Sequence, residues 1–265
     1  MPISEAVFQA IRTWIYQSAG INLSHQKKAL VMGRLAPRLR HHGLVDYGEY
    51  FELLRGAEHP AELQIAIDLL TTNETYFFRE PKHFDFLREK IVAQHPAGRM
   101  FRVWSAASST GEEPYSIAMT LAATLKEGPW EIIASDLSSR VLERARSGHY
   151  AMTRAKTIPQ PYLREYCLKG VGSQEGTFLI EPRIRNRVQF AQVNLVGALP
   201  RIGEFDVIFV RNVMIYFDPP TKRAVVERLL PYLGSGGYLI VGHSESMNGM
   251  NEVLKPIQPS IYRKP

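Results

Sequence analysis

The chain holds a single cysteine, Cys167, in 265 residues, which excludes an internal disulfide and any CxxC metal clip. It lies in "YLREYCLKG", a helical pattern in which the thiol is filler rather than a nucleophile. No apolar run reaches the roughly 18 residues of a membrane span, and the opening "MPISEAVFQAIRTWIYQSAG" lacks the basic start and cleavage pattern of a signal peptide. A cytoplasmic location without membrane insertion is therefore expected. The G-x-G-x-x-G of a dinucleotide site is missing, as are internal repeats and low-complexity segments. What remains is an ordinary globular composition, 45% hydrophobic and 22% charged. The net charge of +6 and pI near 9.4 favour an acidic partner, whether nucleic acid, anionic membrane or protein surface.

Residues 1–72 show helical periodicity throughout, punctuated by Gly20, Gly43 and Gly56. They predict a small all-helical domain. Pro37 interrupts "RLAPRLR", where a helix would bend. Residues 73–98 predict a linker and lid helix, "PKHFDFLREK". From residue 99 to 265 buried strands alternate with helices, the pattern of an α/β fold: a Rossmann-like parallel sheet with helices on both faces. The ending "SIYRKP" predicts a final edge strand. Between about 150 and 186 the alternation breaks into a short helix and a hairpin, an inserted antiparallel β-subdomain.

Ligands of such sheets bind outside the carboxyl ends of the strands, so those ends are the places to read. After "RVW" comes "SAASSTGEEPYS", a turn whose small side chains let backbone amides approach a ligand and which Gly111 relieves. Its glutamates, including Glu113, would repel a pyrophosphate and suit an ammonium group. The next strand ends at Asp136, placed to accept hydrogen bonds from ribose hydroxyls or to cap the following helix. Further strands end at Asn194 and Asn212, amides that can read a base edge, hold an amino-acid group, or simply form turns. A nucleoside carrying an amino acid fits these ends, and S-adenosylmethionine has those parts. "TTNETYFFRE" supplies Tyr76, Phe77 and Phe78, either core residues or an aromatic lid over a sulfonium. Beside them, Arg79 is suited to an anion.

Taken in order, "TTNETYFFRE", "VWSAASSTGEEPYSIAMTL", "ASDLSSRVLERARSGHY", "VNL", "FDVIFVRNVMIYFD" and "GHSE" resemble the chemotaxis receptor methyltransferases, the CheR family, over about the whole chain. The resemblance implies an S-adenosylmethionine-dependent protein-glutamate O-methyltransferase that leaves S-adenosylhomocysteine as product. Its partner would be the cytoplasmic domain of methyl-accepting chemoreceptors. It implies cofactor contacts by Asn73, Thr75, Arg79 and Glu113, Asp136 on the ribose, and Asn194, Leu195, Asn212 and Val213 around the adenine and methionine ends. It further implies a docking surface on the β-subdomain for a receptor C-terminal tail peptide, which would add a strand to a sheet edge such as "GVGSQEGTFLI". Tyr76 and Ser108 depart from the family's usual residues and are not diagnostic.

Because a glutamate side chain is already ionised at neutral pH, its methylation needs alignment more than acid or base help. Arg79 as a two-pronged donor and Tyr216 as a hydroxyl donor are the catalytic candidates. The substrate candidates are basic: Lys27, Arg34 and Arg38 share one helical face with His41, with Lys28 beside them, either a solvated stripe or a guide for an acidic receptor helix. A monomer is expected. Two rivals stand: a cofactor-binding sensor or scaffold without transfer, and a nucleic-acid methyltransferase. The second lacks its N-P-P-Y signature, since "DPP" at 218–220 is not one, and Cys167 is poorly placed for base chemistry.

Overall fold

The computed structural model describes residues 2–56, 59–247 and 252–265. Its first unit is four helices, α1 (Glu5–Ala19), α2 (Lys28–His42), α3 (Tyr47–Arg55) and α4 (Pro60–Leu70). Each start follows from local chemistry. Ser4 caps α1 by accepting from the Val7 amide, the Asp46 carboxylate accepts from the amides of Gly48 and Glu49 ahead of α3, and Pro60 opens α4. Along α1, Phe8, Ile11, Ile15 and Ala19 recur at helical spacing and are buried against Val31, Leu35, Tyr50 and Leu70 of the other three helices. Pro37 lies inside α2, which runs through it. Gly20, at φ 71°, turns the chain onto the second unit, and a Cβ there would meet Val196 Cγ1 at 2.6 Å.

A short α5 (Lys82–Phe86) follows and continues through a π-turn to Ile91. Phe84, Leu87, Ile91 and Val92 join Phe101 and Val103 in one apolar cluster. The expected lid helix is thus built into the core, because its apolar face joins that cluster, with Phe84 stacking on Phe209.

The second unit runs β1 (Phe101–Ser105), α6 (Glu112–Leu125), β2 (Trp130–Asp136), α7 (Ser139–Ser147), β3 (His149–Ala151), α8 (Gln160–Tyr166), β4 (Cys167–Lys169), β5 (Thr177–Ile180), α9 (Pro182–Arg185), β6 (Val188–Gln192), β7 (Phe205–Val210), α10 (Pro219–Leu229), β8 (Leu233–Val241), β9 (Lys255–Gln258) and β10 (Ile261–Arg263). The main sheet has the order β6-β2-β1-β7-β8-β10-β9, parallel through β8 and antiparallel beyond it. Side chains alternate across it: Val207 and Phe209 of β7 face one apolar layer, Ile208 and Val210 the other. Strand order reverses between β1 and β7, so their carboxyl ends open the crevice where ligands of this fold bind.

Two expectations need correction. The terminal strand β10 is not the edge, because β9 pairs outside it. In the small antiparallel sheet, ordered β3-β5-β4, the "TFLI" strand β5 pairs on both sides, leaving β3 and β4 as edges.

Candidate functional site

A cavity of about 370 Å³ lies at that reversal, within the size range of small-ligand sites. The start of α6 contributes Glu113, the end of β2 Asp136, and the turns after β6 and β7 Asn194, Leu195, Asn212 and Val213 to its wall, and the irregular segment after α4 contributes Asn73, Thr75 and Arg79. Tyr216 closes one side, and the helical unit supplies Lys27 and Arg34. Lys28 and Arg38 do not line it.

Two buried carboxylates dominate the floor. Glu113 accepts from Ser105 Oγ at 2.7 Å and from Arg211 Nη1 at 2.8 Å. Burial nevertheless outweighs these contacts and holds its carboxyl above the usual range, with Arg211 opposing and Glu80 adding to the shift. Asp136 accepts from the amides of Ser109 and Ser138 at 2.8 and 3.0 Å, and burial again pushes it up. Both line the cavity and keep lone pairs that can accept further, which suits an ammonium at Glu113 and a diol at Asp136.

Around them the backbone is held in unusual shapes. Phe78, Glu80, Ser109 and Asn212 all have positive φ, four of the six such non-glycine residues described, and that concentration marks a site under constraint. At Asn212 the amide donates to Glu245 Oε2 at 2.8 Å and the side chain reaches Glu80 Oε1 at 3.4 Å. Gly111 has φ 95°, and a Cβ there would press on Tyr150 Oη at 2.7 Å, so only glycine lets α6 begin at this point. Asn194 is half spent on structure: Nδ2 donates to the Ser18 carbonyl at 2.7 Å and Oδ1 accepts from Val196 at 3.1 Å, fastening α1 to the cavity wall.

The aromatic trio divides. Phe77 packs on Tyr150 and Phe178, and Phe78 on Phe84 and Tyr162. Both are core residues, leaving Tyr76, 43% exposed, as the trio's contribution to the cavity. Arg79 lies 5.8 Å over the Tyr76 ring and holds the Glu74 carbonyl at 3.0 Å.

The basic stripe is likewise mostly tied up. Arg34 donates to the Leu70 and Thr71 carbonyls, both at 2.9 Å, satisfying the open end of α4. Arg38 pairs with buried Glu62, and Lys28 with Glu5 at 2.9 Å. A helical wheel places these cations on one face, but partners on other elements consume them. Lys27 is exposed beside the cavity.

Arg211 went unread in the sequence, although a charge ending the buried run "FDVIFV" has to be paired. It is 4% exposed and binds Glu113, Glu80 Oε2 at 2.9 Å and the Arg79 carbonyl, joining three segments of the site. Arg154 of the inserted subdomain was missed too; it binds buried Glu112 and the Thr75 carbonyl at 2.7 Å, linking that subdomain to the 71–79 segment. Cys167 opens strand β4 rather than lying in the expected helix, and burial pushes its thiol up to about 12, consistent with an inert filler.

Comparison with known proteins adds to this geometry. Residues 6–71 match the family described as CheR methyltransferase, all-alpha domain, and residues 73–262 the one described as CheR methyltransferase, SAM binding domain. The chemotaxis protein methyltransferase of Escherichia coli (strain K12) is 45% identical, over 99% of this chain and 92% of that protein. The one from Salmonella typhimurium is 44% identical over 94% and 87%. Chemotaxis protein methyltransferase 2 of Pseudomonas aeruginosa is 41% identical over 96% and 91%.

Proposed function

The chain belongs to the CheR methyltransferase family, and on that premise we propose that it methylates glutamate side chains on the cytoplasmic domain of chemoreceptors. It is a methyltransferase whose cofactor is S-adenosylmethionine. The single observation that carries the substrate assignment is the meeting, on one cavity, of the buried acids Glu113 and Asp136 with the guanidinium of Arg79 and the phenol of Tyr216. The acids suit the cofactor's ammonium and ribose. The cations and donors at the mouth suit a carboxylate.

When bound, the cofactor supplies an electrophilic methyl on a sulfonium. The chain's own tasks are orientation and exclusion of water. An acceptor glutamate, with a pKa of about 4.3, is ionised without help, so no general base is required. Arg79, with one arm on the Glu74 carbonyl, would present its remaining N–H groups to the acceptor, and Tyr216 would add a hydroxyl. Asn73 and Thr75 would close one side of the cofactor, with Leu195 and Val213 packing about its adenine. Arg34 fixes the Leu70 and Thr71 carbonyls and the Thr72 hydroxyl and acts on this segment's position; Lys27 would meet the acidic receptor helix. A receptor tail peptide would dock by adding a strand at β3 or β4, and the protein would work as a monomer.

The test is transfer of labelled methyl from S-adenosylmethionine to chemoreceptor-rich membranes, followed by mild alkali. Label on a receptor band, released as methanol, is expected of a carboxyl ester. Alkali-stable label, or label on nucleic acid, would overturn the assignment.

A further inference from the structure

We infer that Glu80, His83 and His243 form a site for a divalent transition ion of the zinc type, beside the methyl-transfer cavity. Their ligand atoms all lie within 4.8 Å of one another. His83 Nδ1 already stands 3.4 Å from Glu80 Oε2, and the His83 and His243 rings meet edge to face at 4.9 Å. With metal bonds of about 2.0–2.1 Å, the edge of a tetrahedral site is about 3.4 Å. The Glu80–His83 edge therefore has its final length, and exposed His243, just past β8, has room to close the other two.

An independent observation is the state of His83. It is 1% exposed, and neither ring nitrogen has a hydrogen-bond partner among the described residues. A buried imidazole has one donor and one acceptor to satisfy, and coordination would engage one of its nitrogens. Glu80 is braced as a ligating carboxylate usually is: it accepts from Arg211 Nη2 at 2.9 Å, from the His243 amide at 3.2 Å and from Asn212 Nδ2 at 3.4 Å.

Two imidazoles and one carboxylate suit zinc, cobalt or nickel, whereas calcium and magnesium prefer all-oxygen surroundings. Three protein ligands also leave a position open to water. Glu80 and His83 flank the start of α5, next in sequence to Arg79, and His243 belongs to the loop whose Glu245 holds the Asn212 amide. A bound ion would therefore clamp the segment that carries Arg79 to the loop that holds the Asn212 amide.

The experiment is titration of metal-stripped, full-length protein with Co²⁺, followed by its visible absorption, and with Zn²⁺, followed by thermal unfolding. Wild type should take up one equivalent, develop cobalt bands and unfold several degrees higher with zinc. His243→Ala, at an exposed position, should fold and bind at least tenfold more weakly. Cys167→Ser and His42→Ala, which remove the lone thiol and an imidazole held by Glu62 in the helical unit, should leave the titration unchanged. Absence of saturable uptake below millimolar metal, or a His243→Ala titration superimposable on wild type, would overturn the assignment.

Discussion

Glu62 in the helical unit and Glu113 in the cavity are both buried glutamates bound to an arginine, yet they titrate in opposite directions. Burial alone pushes both up. At Glu62 it is overcome by Arg38 through two bonds of 2.8 and 2.5 Å, by Tyr50 Oη at 2.6 Å and by His42 at 3.0 Å, and the carboxyl falls to about 2. Glu113 has one bond from Arg211 and one from Ser105, shares that arginine with Glu80, and stays raised. The saturated carboxylate is a structural tie. The one with fewer partners lines the cavity and can accept from a cationic ligand.

Breaking that contrast at Arg211 should have the largest effect. Arg211→Met would leave Glu80 and Glu113 without their common partner, at a cost of about 3–5 kcal/mol. Chemical denaturation should show the loss, with cofactor binding abolished alongside it. Next comes Glu62→Gln, expected to cost about 2 kcal/mol while leaving cofactor affinity within about twofold by calorimetry. The same residue sets an acid limb: with its folded pKa below the unfolded value of 4.5, its stabilisation is fully present above 4.5 and is lost as pH falls towards about 2. Glu62→Gln should therefore flatten wild-type acid destabilisation between those values, read as melting temperature against pH. A smaller and opposite pattern is expected of Glu113→Gln: cofactor affinity down about tenfold, about 1.4 kcal/mol, with stability changed by less than about 1 kcal/mol. Smallest is Lys27→Glu, expected to raise the KM for receptor by about threefold at low salt with kcat unchanged, an effect that fades as salt is added.

The strands were legible because their alternating faces leave a period-two pattern, and their polar ends were legible because a parallel sheet brings such ends together. Asp136, Asn194 and Asn212 were found that way. Sequence does not say which side of a turn an aromatic takes, and the left-handed backbone at Phe78 and Glu80 belongs to a segment whose Phe77 and Phe78 are buried in the core. Nor does local periodicity reveal distant partners. Glu62, 24 positions from Arg38, and the Leu70 carbonyl, 36 from Arg34, turn an apparent basic stripe into internal ties. The order β8-β10-β9 is equally hidden, because an edge is defined by pairing rather than by composition.

The central contrast is tested most directly by calorimetric titration of S-adenosylhomocysteine into wild type, Glu113→Gln and Glu62→Gln. Affinity should fall about tenfold for Glu113→Gln and essentially not at all for Glu62→Gln. Equal affinity for wild type and Glu113→Gln, or a comparable loss in both variants, would contradict it.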